Sequence, residues 1–278
     1  MILRSISIQN LGALSRLSHT LNEGLNLLLY RRTDELSSAL RFVFNHREHL
    51  PESWIGEDTR IEAVVSFGNT VFSLIALPNE SKKGMNLACY TQNGENRTKE
   101  YLYLTSHSPE QDLSDIFEED GDTVLPRFLR YAREDLYYSE RALSRSTDGL
   151  SDINAFRAYL RDFLKSFKPE LLREGKQYEM VLEKDGRYAV KCRIDSSDAC
   201  SLSVSERTLF RYLCFLKTAE FWCGFEELRN LHGIKKPLII KDFLEKLDES
   251  INTARLLKRA ENLKRQVIVL SRADTINE

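Results

Sequence analysis

Residues 30–38, YRRTDELSS, lie between an apolar run, GLNLLL, and a segment with helical spacing. A loop that holds phosphate at such a junction needs glycines so that backbone N–H groups can wrap the anion. It also needs a lysine for its charge and a Ser or Thr hydroxyl for Mg²⁺. Only hydroxyls, of Thr33, Ser37 and Ser38, are present, and Arg31, Arg32, Asp34 and Glu35 bring mixed charge. Arginines can grip phosphate, whereas neighbouring carboxylates repel it. Two later stretches carry related chemistry. PLIIKD is an apolar run ending in Lys241 and Asp242, an acid at a strand end that can orient water. LSVSE, residues 202–206, sets serines at the start of a helical pattern, where a hydroxyl and an amide can meet an anion. Arg157, Arg161, Lys165 and Lys168 fall at four- and three-residue steps on one helix face. That row suits nucleic-acid phosphates, but a solvated face is the plainer account.

The other reactive residue types form no constellation. His19, His46, His49, His107 and His232 stand in no nucleophile or metal-ligand context. The five cysteines make no C-x-x-C pair and read as reduced, mostly buried thiols. Forty Lys plus Arg against 42 Asp plus Glu leaves a net charge of −2, so no global basic field advertises nucleic acid. The longest apolar runs fall short of a membrane span and the N-terminus alternates like a strand, so the expectation is a soluble, cytoplasmic protein.

The elements that must position these residues follow from periodicity. LRSISIQN alternates, GLNLLLY is a buried-type strand, and DELSSALRFVF puts Leu36, Ala39, Leu40 and Val43 on one helix face. TRIEAVVSF, NTVFSLIAL, MNLACYTQ and KEYLYLT read as the strands of an antiparallel meander. An acidic connector, SPEQDLSDIFEEDGD, leads to helical patterns over 124–144 and 156–167. KQYEMVLEKDGRYAVKCRID predicts a hairpin about Asp185-Gly186. The last third alternates helix and strand: SERTLFRYLCFLKTAEFW, PLIIKD, ESINTARLLKRAENLK and QVIVLSR. That order argues a parallel sheet flanked by helices, so the fold class is α/β with an antiparallel meander in its first part.

Taken in order, these pieces resemble the ATP-binding-cassette heads of the SMC/RecF-like ATPases, P-loop NTPase-like folds of the bacterial AAA-type group, over residues 1–45 and 176–273. The resemblance implies a P-loop over 30–38, with Tyr30 at the first glycine, Glu35 at the second and Leu36 at the phosphate-binding lysine. Only Ser37 and Ser38 match. It implies a Walker B strand in which Lys241 takes the Mg²⁺-binding position and Asp242 the acidic one. A D-loop falls at Leu247 and Asp248, and Arg272 stands at the switch histidine. The signature keeps Leu202, Ser203 and Glu206 but has Val204 and Ser205 for its glycines.

The resemblance therefore implies one head, residues 1–278, without its coiled-coil arms: an N-terminal lobe over 1–108, a helical connector over 109–175 and a C-terminal lobe over 176–278. With these ligands replaced, the expectation is a pseudo-ATPase that needs no cofactor, ATP and Mg²⁺ entering only weakly or in trans. Its expected partner is an active ATPase of the same superfamily or a second copy, within a DNA-associated repair, recombination or defence complex. The alternatives are an unconventional nucleotide-binding enzyme using Lys241, Arg31 and Arg32, or a nucleic-acid module using the Arg157 to Lys168 row.

Overall fold

The computed structural model describes residues 1–44, 49–81, 83–106, 158, 162, 203–206, 208–209, 212–213, 216, 236–241, 244–249, 251–263 and 265–272, together with the backbone of strands 176–182, 188–194 and 198–200. The chain divides into two compact units. The first comprises residues 1–115, 230–245 and 257–278, and the second residues 116–229 and 246–256.

The first unit is built on a five-stranded antiparallel sheet in the order β2-β1-β4-β5-β6. Its strands are β1 (Ile2–Leu11), β2 (Leu14–Thr20), β4 (Ile55–Phe67), β5 (Thr70–Pro78) and β6 (Met85–Thr91). Alternation puts Leu3, Ile6 and Ile8 of β1 inward beside Ile61, Ala63 and Val65 of β4. The sheet closes on α1 (Thr33–Phe44), whose Leu36, Ala39, Leu40 and Val43 are all buried, as the spacing predicts.

α1 also packs on a three-stranded parallel sheet, order β10-β11-β3, made by β3 (Leu25–Leu29), β10 (Leu238–Lys241) and β11 (Val267–Ser271). Its strands are the three apolar runs expected to share one sheet, and the register sets Lys241 opposite Leu270 and Ser271 opposite Leu29. One core joins both sheets through α1, including Ile239, Ile268 and Leu270. Gln266, just before β11, ties the sheets further: its amide accepts from Leu3 N–H (2.8 Å) and donates to Leu3 O (2.8 Å) and Asn22 O (2.7 Å).

Two assignments change. KEYLYLT is not a strand but most of α2 (Thr98–Ser106). Asn96 Oδ1 accepts from Thr98 N–H at 3.0 Å and starts the turn, while Tyr101 and Thr105, four apart, are the buried residues. The apolar run YLYL fits either period, and burial of Tyr101 against Val43 O (2.8 Å) and Phe72 decides for helix. The strand β2 has no counterpart in the sequence expectations. Its buried residues Leu14 and Leu17 are three apart, which hides the alternation.

In the second unit the expected hairpin forms between β7 (Lys176–Leu182) and β8 (Tyr188–Ile194), with Leu182 opposite Tyr188. A short β9 (Asp198–Cys200) extends it. The turn residues Asp185 and Gly186 lie outside the described residues. The described residues from 204 to 216 are helical and form α3. Asn252 Oδ1 accepts from Arg255 N–H at 3.0 Å at the start of α4 (Thr253–Glu261), a helix the division into units crosses.

Candidate functional site

Open parallel sheets offer ligands the crevice outside the carboxyl ends of their strands. Here that edge is formed by Lys241, Ser271 with Arg272, and Tyr30, the last held by its N–H to Ser271 O at 2.9 Å. The sequence-predicted stations Tyr30, Lys241 and Arg272 thus share one edge. Asp242 lies outside the described residues.

The β3–α1 junction is three residues long, Tyr30 to Arg32, and α1 begins at Thr33. Helix geometry then fixes where residues 35 to 38 lie. Leu36 is fully buried in the core. Ser37 is buried and Ser38 half-buried. Glu35, expected beside a phosphate, is buried instead against the β1–β2 turn. Its Oε1 accepts from Ala13 N–H (3.4 Å), and its Cγ lies 3.1 Å from where a Cβ on Gly12 would be. Gly12 has φ +57° with Trp54 equally close on the other side, so this turn admits only glycine without strain. The Glu35 side chain is thus packed against the turn.

Asp34, in the first turn of α1, forms an ion pair with Lys241 Nζ, 207 residues away. The Lys241 side chain is 18% exposed and that of Asp34 58%. Lys241 ends β10 and Asp34 lies in the helix that follows β3, the two strands that flank β11. Next to it stands Glu245, in the 3₁₀ turn Leu244–Lys246, which the sequence reading passed over. Its Oε1 accepts from Ser271 Oγ (2.7 Å) and from Arg272 N–H. A carboxylate on consecutive donors at a strand end makes strong, charge-assisted bonds. Nothing in the local pattern of FLEKLDE announces that role. Arg31 and Arg32 are exposed just before the helix. Among the described residues, no group of three or more His, Cys, Asp or Glu side chains is arranged to hold a metal ion.

The signature-like segment belongs to the second unit. Ser203 N–H donates to Glu206 Oε2 (2.8 Å), and Ser203 Oγ accepts from Glu206 N–H (3.1 Å). This reciprocal pair is a capping box, S-x-x-E, which starts α3 and was legible in the spacing. Ser205 is buried, and its Oγ accepts from Asp248 N–H (2.8 Å), which anchors the backbone there. Val204 is 60% exposed. Leu202, Arg157, Arg161, Lys165 and Lys168 lie outside the described residues.

No family model and no curated protein matches the sequence. Solved structures do. A crystal structure of an Smc head bound to the C-winged helix domain of ScpA aligns with 98% of this chain and 90% of its own, at 13% identity and a TM-score of 0.51. An Smc head with a coiled coil and joint from Pyrococcus yayanosii aligns with 97% and 92%, at 10% identity and 0.51. A RecF–ATP structure of the RecFOR pathway aligns with 99% and 94%, at 17% identity and 0.43. The chain has the mixed α/β fold of the Smc head, with its antiparallel and its parallel sheet. No helix among the described residues is long and apolar enough to cross a membrane.

Proposed function

We propose that this chain is a catalytically degenerate SMC/RecF-like head that works as a partner-binding or regulatory subunit in the cytoplasm, within a DNA-associated ATPase complex. One observation carries the reading: of the two residues that the resemblance sets at the phosphate and metal positions, one is core and the other is ion-paired within the chain. Leu36 is core, and Lys241 is paired with Asp34. A phosphate at this edge meets no P-loop lysine, and a metal ion meets an ammonium, so charge opposes Mg²⁺–ATP on both counts. An Smc head bound to a winged-helix domain is among its structural likenesses, which supports a protein as the partner. An active head of the same fold or a second copy of this chain fits the same role.

The test is calorimetric titration of the full chain with ATP and Mg²⁺. Binding no tighter than about millimolar, worth ~4 kcal/mol, is expected, with no hydrolysis. A micromolar, metal-dependent isotherm overturns the reading.

A further inference from the structure

The edge strands of the first unit are protected unequally. At β6 the outer edge is closed by the segment that follows it. Thr91 N–H donates to Glu95 O (3.0 Å), Arg97 N–H to Cys89 O (2.8 Å) and Cys89 N–H to Thr98 Oγ1 (2.9 Å). At β2 the exposed residues are Ser15, Arg16, Ser18 and Thr20, polar groups and a charge that discourage another strand. β3 has neither protection. It is the outer strand of the parallel sheet, bonded to β11 alone among the described strands, and LNLLL holds no charge and no proline.

The ladder fixes which groups of β3 face outward. Gly24 O accepts from Val267 N–H (3.0 Å) and Tyr30 N–H donates to Ser271 O (2.9 Å), so the even-numbered residues bond toward β11. The N–H and C=O groups of Leu25, Leu27 and Leu29 point the other way, and no described residue bonds them. Their side chains alternate with buried Asn26 and Leu28, and Leu27 and Leu29 are 39% and 40% exposed. Outward backbone groups beside exposed leucines form a template for strand addition.

The flanks of β3 select the strand that fits. In an antiparallel pair, bonds are exchanged between residues that both turn their N–H and C=O to the partner. The three outward residues meet that condition with their own copies when Leu27 lies opposite Leu27, since Leu25 then faces Leu29. The same register brings Glu23 opposite Arg31 at both ends. Both side chains are exposed. The Glu23–Arg4 ion pair (2.8 Å) is open to solvent, so Glu23 can share its charge at little loss. An apolar centre with opposite charges at its two ends is self-complementary about a two-fold axis, as an isologous interface requires. We infer that the outer edge of β3 is an interaction surface for a second copy of this chain, the two β3 strands joining antiparallel about Leu27 into one continuous sheet. The surface runs along the side of β3 and needs no nucleotide, so it goes beyond the proposed function and does not rest on it.

The experiment is sedimentation velocity of the full chain without nucleotide, from about 1 to about 100 µM, with thermal melts to check folding. One five-residue strand per copy makes a small interface of the weak class, below about 1,200 Å², so a concentration-dependent dimer in the micromolar range is expected. Leu27→Lys sets like charges opposite each other at the centre and should remove the dimer throughout that range. Glu23→Arg and Arg31→Glu alone should each weaken it at least about threefold, and the two together should restore it to within about twofold of wild type. Wild type that stays monomeric to about 100 µM overturns the inference and leaves the edge to a strand of another protein. Folded Leu27→Lys that dimerises like wild type overturns it too, as does a double exchange no better than the single ones. If Leu27→Lys does not fold, the charge exchange decides alone. Micromolar Mg²⁺–ATP binding strikes the proposed function instead, so the two failures are distinguishable.

Discussion

Leu36→Lys restores the residue type that a phosphate-binding loop needs, and it should fail for reasons visible in the packing. Leu36 is 0% exposed within the core shared by both sheets. Removing a fully buried leucine side chain forfeits roughly 1.5–3 kcal/mol of apolar burial. Enclosing an ammonium in its place adds several kcal/mol, even after relaxation or loss of its proton. A sum of about 5 kcal/mol takes a large part of a domain's usual stability of about 5–15 kcal/mol. With a urea dependence of about 3 kcal/mol per molar, the midpoint should fall by about 1.7 M, read by circular dichroism. Leu36→Met, which conserves volume and polarity, should cost less than about 1.5 kcal/mol. If Leu36→Lys melts within about 0.3 M of wild type on that same scale and gains Mg²⁺-dependent ATP binding, the side chain faces a site and the reasoning about α1 is wrong.

Ser203→Ala should cost about 1 kcal/mol through loss of the cap on α3, read as a lower melting temperature, while Ser203→Thr keeps an acceptor and should stay within a few tenths. Cys89 is buried on β6, and desolvation, with the nearby Glu100 carboxylate adding to it, pushes its thiol up from 9.0 to about 12. The folded state then holds a proton that the unfolded chain gives up, so the Cys89 contribution is constant below about pH 9 and stability falls as pH rises from there toward 12. Denaturant melts between pH 8 and 10.5 should flatten in Cys89→Ala relative to wild type, and an equal slope in both would refute the assignment.

How much of this was readable in the chain depends on the range of the interaction. The alternation in β1, β4 and β5, the apolar runs of β3, β10 and β11, and the i, i+3, i+4, i+7 face of α1 are local patterns, and they became the elements they predict. The run in α2 failed because Tyr101 to Leu104 are all apolar, and only the contact of Tyr101 with α1 tells helix from strand. At the candidate site the side-chain partnerships lie beyond the reach of any local pattern. The partners Asp34 and Lys241 are 207 residues apart, and Ser271 and Glu245 26 apart. The Ser203–Glu206 box was within reach of sequence reasoning, yet the serine was weighed only as a contact for an external anion.

Each of these stations now carries a carboxylate of the protein's own. Asp34 pairs with Lys241, Glu245 accepts from Ser271 and Arg272, Glu35 accepts from Ala13, and Glu206 accepts from Ser203. Donors at the carboxyl edge of a parallel sheet and at a helix start are the groups that otherwise greet an anionic ligand. A head that cycles through a nucleotide-bound state can leave such donors to the ligand or to water. One that works without a ligand does better to meet them internally, because a buried donor left unpaired costs about 1–3 kcal/mol. Ser271, Arg272, Lys241 and the start of α3 each meet a carboxylate of the chain itself, as the proposed function expects of a head that works without a bound nucleotide, and these contacts are held in place by the parallel sheet, by α1 and by the bond between Ser205 and Asp248.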